Sequence, residues 1–333
     1  MMEFEELYNN AIEEIKKGDL QSAYQFLLKS IQDINSNVTD FSDNHIHNII
    51  HNNERPLLVY KLNGLPLLDK AKTLQTIYHK SGEIAAKLGK AKEAKSHFEN
   101  YQKMVMYNFD GFKTDEHLFS FRNFNEHTLY DLANNSLSIS RPKVMNDPFD
   151  TPVIEWGKYQ RTHNLKPHTE QFVKSFDGYR IRSFSIPEKG KHPLNDLLMW
   201  AHYANGHKGF CVEYSFSSEF RKTLLLSFNH INYGVVDLSK DKLSITEAFA
   251  TKSVEWRYEN EVRLISYNSD SNDEHINVPL DDQSSIVAIY FGLNCPEKRI
   301  DIIRRLMEGK NVKLYKMEAK GSSIPYELTP VSI

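Results

Sequence analysis

Two short stretches of this chain share one spacing. Gly18, Ala23 and Leu27 stand five and four residues apart, and Gly89, Ala94 and Phe98 repeat the pattern. Seven residues before each glycine comes another small residue, Ala11 and Gly82. Small residues at such offsets let two antiparallel helices approach closely while the bulky residue packs between them. The two glycines lie 71 residues apart, close to two periods of a helical repeat of roughly 34 residues. A divergent middle repeat is therefore expected between residues 36 and 70, where Asn63-Gly64 and Pro66 interrupt the helical pattern. The spacing predicts an all-helical unit over residues 1–110.

This pattern resembles the tetratricopeptide repeat, over about the first third of the chain. The resemblance implies a concave surface that holds a protein or peptide partner. The alternative is a plain helical bundle that packs on the rest of the protein. Near the middle of this region Asp43, His45, His47 and His51 cluster, and His47 and His51 would share a helical face. Without an accompanying Cys, and among Asn and Ser, they read as an exposed loop or helix start rather than a metal site.

Near Leu118 the texture changes to strand-like alternation, so a second domain is placed over residues 115–333. A chain of 333 residues has room for two domains. Expected strands include Leu118–Arg122, Leu137–Ser140, Tyr179–Ser185, Gly209–Tyr214, Leu224–Tyr233, Glu261–Tyr267, Ile286–Phe291 and Val312–Met317. Helices are expected over Glu126–Asn134, Leu194–Tyr203, Ile245–Thr251 and Pro296–Met307. Strict βαβ alternation is missing, which predicts an α+β fold with a mostly antiparallel sheet. Segments 154–178 and 268–284 are polar, and the second, with Asp270-Ser271-Asn272-Asp273-Glu274, reads as a mobile loop.

Global properties narrow the partners. The formal net charge is −3, which argues against nucleic acid and gives no pull toward an anionic membrane. No apolar run reaches the ~20 residues that span a bilayer. Two cysteines, Cys211 and Cys295, are too few for a disulfide framework. The acidic start Met1-Met2-Glu3-Phe4-Glu5-Glu6 lacks the order of a signal peptide, so a cytoplasmic location is expected.

The densest chemistry lies in Trp256-Arg257-Tyr258-Glu259-Asn260-Glu261-Val262-Arg263-Leu264-Ile265. Read as a continuous strand, it sets Glu259, Glu261 and Arg263 on one face, with the carboxylates roughly 6.6 Å apart. Three other segments carry binding-type residues: Asn146-Asp147-Pro148-Phe149-Asp150, Trp200-Ala201-His202-Tyr203 with His207-Lys208-Gly209, and Ser183-Phe184-Ser185. A fifth feature is Thr251-Lys252, leading into the carboxylates. Each has a plainer reading: a turn at Asn146–Asp150, a strand end at Ser185, core packing for the histidines, and mutual screening for Glu259, Glu261 and Arg263.

These segments, with Ser140-Arg141-Pro142, resemble a bacterial family known as domain of unknown function 2971, over roughly residues 117–320. That resemblance implies a fold neighbourhood without a reaction, and with helical repeats in front it suits a sensor-plus-effector layout. The order Arg122, then Ser183/Ser185, then Glu259-Asn260-Glu261 is also similar to ADP-ribosyltransferases of the Arg–Ser–Glu type, although the central Thr usual in that family is Phe184 here. This resemblance implies NAD as substrate, Glu261 as the main catalytic carboxylate and Glu259 as its assistant. Arg122 would hold phosphate, Ser185 brace the site, and Trp200 or Trp256 stack on nicotinamide. Asn146, Asp147, His202, Tyr203, His207, Lys252 and Arg263 complete the expected substrate-binding set. Two alternatives stand beside it: a non-catalytic module that binds a small molecule or protein, and a metal-dependent hydrolase or nuclease built on His202, His207, Asp147 and Glu261.

Overall fold

A computed structural model describes residues 3–36, 70–107, 117–145, 147, 149–188, 190–217, 220, 226–281, 284–321 and 327–333. The expected middle repeat, the cluster Asp43, His45, His47 and His51, and the candidate Asn146 lie outside the described residues.

The N-terminal helices come as two antiparallel pairs, α1 (Glu3–Lys17) with α2 (Leu20–Ser36) and α3 (Lys70–Lys87) with α4 (Ala91–Tyr107). Each pair reverses at a glycine in the left-handed region, Gly18 (φ +84°) and Gly89 (φ +75°). Other residues occupy that conformation only with strain. The small-residue spacing marks where the helices touch only at Ala11, Gly82, Ala23 and Ala94; Gly18 and Gly89 stand in the turns, with nothing within 4 Å of a Cβ built on either. Ala11, Ala23 and Ala94 are fully buried, and a Cβ at Gly82 would come within 2.6 Å of the Phe98 ring.

After the helices comes a mixed, mostly antiparallel sheet, so the chain has the α+β fold that the alternation predicts. Its long path runs β12 (Leu328–Ser332), β11 (Lys313–Ala319), β10 (Ser285–Phe291), β4 (Phe210–Ser215), β1 (Leu118–Arg122), β3 (Tyr179–Ser185), β2 (Ser136–Ser140), β9 (His275–Pro279). One edge of β3 pairs along its whole length with β8 (Glu261–Tyr267), which in turn pairs with β5 (Leu226–His230). The other edge of β3 is shared. β1 meets it at Phe119↔Ser185 and β2 meets it at Ser140↔Ile181. Between those two contacts β1 and β2 diverge, and the sheet forks.

Arg182, in the middle of β3, fills the fork. Its guanidinium donates to Ser138 O on β2 (2.9 Å) and to Ser120 Oγ on β1 (3.2 Å), and pairs with Asp131 at 3.4 Å. Asp131 belongs to α5 (Glu126–Asn134), which Asn125 caps by accepting from Thr128 N. One sheet face packs an apolar layer that includes Leu132 of α5 and Ile300 and Ile303 of α10 (Glu297–Leu306). The opposite face is covered in two blocks. Phe119, Phe121 and Trp200 form one, with α8 (Leu197–Tyr203). The other joins the N-terminal helices to Tyr179, Ile181, Ile265 and Tyr267 through α6 (Pro152–His163), α7 (Thr169–Ser175) and α9 (Ile245–Phe249). Within it Tyr179 Oη donates to Gln102 Oε1 of α4 at 2.9 Å.

Several local expectations change. Residues 256–265 do not form one strand: Val254–Glu259 is a 3₁₀ turn, Asn260 takes a left-handed conformation (φ 43°), and β8 begins at Glu261. Asn tolerates that conformation better than other residues with a Cβ, so it can stop the turn and start the strand. The polar segment 154–178 holds α6 and α7. α6 opens with Pro152 at its first turn and buries Val153, Trp156 and Gln160, while α7 buries Phe172 and Val173. Segment 268–284 contains the edge strand β9, whose side chains are mostly part-exposed, so its alternation carries little apolar signal. The helix expected from Leu194 begins at Leu197, because Asp196 caps it by accepting from Leu198 N and Met199 N. The helix expected to reach Thr251 stops at Phe249, and Thr251–Lys252 forms β7, parallel to β6 (Asn232–Tyr233).

Candidate functional site

A cleft of about 960 Å³ opens between the two apolar blocks and reaches the fork in the sheet. Ligand pockets of small-molecule sites span roughly 300–1,000 Å³, so this one has room for a dinucleotide.

At one end sits a buried group of five charges. Asp150, Lys252, Glu259, Glu261 and Arg263 are all at most 5% exposed. Lys252 Nζ lies 2.8 Å from Glu259 Oε2, 3.0 Å from Asp150 Oδ1 and 3.5 Å from Glu261 Oε2. It also stands over the Trp256 ring, 4.7 Å from the centroid. Arg263 donates from Nε and Nη2 to Glu261 Oε1 at 2.9 and 2.7 Å. Its Nη1 reaches the carbonyls of Phe249 and Asp150 at 2.8 and 3.1 Å, and Nη2 pairs with Asp150 Oδ1 at 3.2 Å. Three carboxylates thus face two cations.

The two glutamates are not equivalent. Burial would raise Glu261, but Arg263 and Lys252 more than offset it and hold its carboxyl below the ordinary range. Glu259 has no contact with Arg263. Burial and the neighbouring Glu261 charge push it up to about 7, against the pull of Lys252 and of Tyr203. Tyr203 Oη donates to Glu259 Oε1 at 2.5 Å. Of the two glutamates, Glu259 is the one placed to exchange a proton near neutrality. Glu261 stays ionised.

The notion that Glu259 and Glu261 alternate along a single strand is corrected by the turn at Asn260. They still converge, because the 3₁₀ turn carries Glu259 back over Lys252. Above them the cleft wall comes from His202, Tyr203 and Trp256, with Tyr258 Oη hydrogen-bonded to His202 Nδ1 at 2.8 Å. Ser183 and Ser185 line the floor from β3, Lys252 and Asp147 also line the cleft, and Arg122 reaches it from β1.

Three expected site residues do not line it. Trp200 is fully buried, donates Nε1 to Leu194 O at 2.8 Å and packs edge-on against Phe121. Its apolar bulk makes it part of the core. His207 stacks on Trp200 with ring centroids 6.0 Å apart, away from the cleft. Arg263 lies behind Glu261, fully buried, and acts on the site only through its carboxylate partners. The set His202, His207, Asp147 and Glu261 is therefore not gathered. No cluster of three or more His, Cys, Asp or Glu side chains suited to a metal ion occurs among the described residues.

Asp150 was legible only as part of a turn segment, yet it links Lys252 to Arg263. Arg182, His127 and His275 also line the cleft. Nothing in a single sequence distinguishes Arg182 from its neighbour Arg180, whose guanidinium instead donates to four backbone carbonyls.

The fold and site define an α+β protein with helical pairs in front of a forked sheet, whose cleft combines buried carboxylates with aromatic walls. Residues 199–264 match the family described as Protein of unknown function (DUF2971). The matched stretch carries His202, Tyr203, Lys252, Trp256, Glu259 and Glu261. Arg122, Asp150 and the β3 serines lie outside it. No curated protein and no solved structure matches the chain. No helix among the described residues is long and apolar enough to cross a membrane.

Proposed function

We propose that this chain is an effector whose cleft cleaves the nicotinamide–ribose bond of NAD, as an ADP-ribosyltransferase or NAD glycohydrolase. The observation that carries this reading is the meeting of Arg122, Ser183 with Ser185, and Glu259 with Glu261 on one cleft. The bond from ribose C1′ to the nicotinamide nitrogen breaks, and its electron pair leaves with nicotinamide. Positive charge develops on the ribose ring, as in glycoside hydrolysis. Glu261, kept ionised by Arg263 and Lys252, stabilises that charge. The acceptor, water or a nucleophile on a target, bonds to C1′ and gives its proton to Glu259. Trp256 and Tyr203 offer the aromatic wall for nicotinamide, and Arg122 holds phosphate. The helical pairs, taken as tetratricopeptide-like, serve to hold a protein partner.

One observation favours a non-catalytic binding module instead: the five charges already satisfy one another, as a purely structural network would. Incubating the full chain with NAD and, separately, with a phosphodiester substrate, each with and without EDTA, and following nicotinamide release and phosphodiester cleavage separates the readings. Release that resists EDTA and is lost in Glu261→Gln supports NAD cleavage. EDTA-sensitive phosphodiester cleavage points to a metal hydrolase, and no turnover of either substrate in the presence of a captured partner points to a binding module.

A further inference from the structure

The far end of the cleft has the opposite character. Arg122 is anchored by one bond, Nε to Thr128 Oγ1 at 3.2 Å, and forms no ion pair among the described residues. Thr128 Oγ1 in turn donates to Asn125 Oδ1 at 2.9 Å, so the guanidinium is fixed against the first turn of α5. Arg182 stands beside it at the fork, 5% exposed, and its Nε is buried without a hydrogen-bond partner. Across the opening His127 of α5 and His275 of β9 lie face to face, ring centroids 4.5 Å apart at 31°. His275 Nδ1 shares a hydrogen bond with Ser140 Oγ at 2.8 Å, which aims its other nitrogen away from β2.

These groups repel one another. Burial and the Arg182 charge lower Arg122 to about 9. Burial lowers His275, and His127, Arg122 and Arg180 push the same way, opposed by Glu274. The acids nearby do not cancel this. Asp131 is buried behind Arg182, Glu274 pairs with Lys143 at 2.9 Å, and Glu126 stands in solvent, 3.9 Å from His127. Two guanidiniums and two imidazoles thus face one opening with a single buried carboxylate among them. Guanidinium donors in a partly buried site suit phosphate oxygens, to which charge-assisted hydrogen bonds are strong.

We propose that Arg122, Arg182, His127 and His275 form a diphosphate subsite at the fork of the sheet. The two pairs hold two phosphates: the arginines from the sheet side, the histidines from the α5–β9 side. A nucleoside diphosphate unit seated here would extend its sugar along the β3 serines toward Glu261. This assignment deepens the NAD reading and rests on it for the orientation of the sugar, but the anion subsite stands on its own geometry.

The test is calorimetric titration of the full chain with inorganic pyrophosphate, orthophosphate and ADP-ribose, using Arg122→Met, His127→Ala and His275→Ala. Pyrophosphate is expected to bind at least about ten-fold tighter than orthophosphate, and Arg122→Met to weaken it about 10- to 100-fold. His127→Ala changes a half-exposed residue at the helix start, so it tests the subsite even if Arg122→Met fails to fold; a loss of about five- to ten-fold is expected. Absence of pyrophosphate and ADP-ribose binding in the wild-type chain overturns the subsite, as does binding that both histidine variants leave unchanged. Binding of pyrophosphate and ADP-ribose without NAD turnover sinks the NAD-cleavage reading and leaves the subsite standing. NAD turnover with an unchanged KM in both histidine variants does the reverse.

Discussion

Lys252→Met is the most informative single change. Lys252 is 5% exposed and is the one cation that touches Glu259 among the described residues. Its removal leaves three buried carboxylates facing Arg263 alone. Arg263 still holds Asp150 and Glu261, but Glu259 is left with only the Tyr203 hydroxyl. Removing one partner of a buried ion pair typically costs about 3–5 kcal/mol, because an uncompensated charge stays behind. The variant can relieve part of that cost by keeping Glu259 protonated, and this sets the pH dependence. Glu259 already titrates at about 7 in the wild type, above its ordinary value. A carboxyl raised on folding makes the folded chain bind more protons than the unfolded chain, so its stability falls as pH rises through that window. Without Lys252 the folded value rises further, and the window extends upward. Between pH 7 and 8 the wild-type group gives up most of the half proton it still holds, while the variant's stays largely protonated. The variant's deficit should therefore grow by about 1 kcal/mol over that unit. Urea unfolding at pH 6 and pH 8, followed by tryptophan fluorescence, measures both numbers. A deficit below about 1 kcal/mol at pH 8, or one larger at pH 6 than at pH 8, would refute the charge accounting.

Glu259→Gln should remove the loss of stability, of order 3 kcal/mol, that the wild type suffers as pH rises from about 4.5 to 7. Urea midpoints at pH 5 and 7.5 read it, and an unchanged slope in the variant counts against the raised carboxyl. Tyr203→Phe takes away a hydrogen bond that favours ionised Glu259, so the midpoint of any Glu259-dependent pH profile should move upward; a downward move contradicts the geometry. Gly82→Val drives a side chain into the Phe98 ring and should destabilise the α3–α4 pair by about 1–3 kcal/mol, visible as a lower melting temperature. Trp200→Phe should cost about 1–3 kcal/mol through the orphaned Leu194 carbonyl and lost packing, yet leave ADP-ribose affinity within two- to three-fold, since Trp200 does not line the cleft.

The readable parts of the fold were those with a strong local signal. β1, α5 and β3 fall on their expected residues because each has clear apolar alternation or an Asn cap at Asn125. Gly18 and Gly89 marked the helical pairs by their spacing, but their own place is the turn, where a left-handed backbone selects glycine, and not the helix contact. α6 and α7 were hidden by polar outer faces: Val153, Trp156 and Phe172 are too sparse to stand out, and packing against the N-terminal helices stabilises them. Trp200 and His207 illustrate the limit at the site. An aromatic beside histidines at a helix end suits a pocket wall and a core equally well, and only the position of Phe121 on a distant strand decides for the core. Asp150 and Arg182 acquire their roles from partners more than 40 residues away, a separation that periodicity cannot span.

The cleft gains its polarity from the fork, and the fork depends on where β1 and β2 leave β3. Had both strands continued along β3, Arg182 would have had no gap to fill and Ser120 and Ser138 would have been engaged in ordinary strand packing. Instead the divergence places cations at one end, while the full β3–β8 pairing holds Glu261 at the other, opposite Ser185. The stretch matched to the unknown-function family contributes Glu259, Glu261, Lys252 and the aromatic wall, whereas Asp150, Arg122, Arg182 and the two histidines of the cationic end lie outside it. The two ends are thus separable by experiment. On the proposed NAD reading, changes at Glu259, Glu261 or Lys252 should alter nicotinamide release and its pH dependence, and changes at His127 or His275 should alter affinity for pyrophosphate and ADP-ribose.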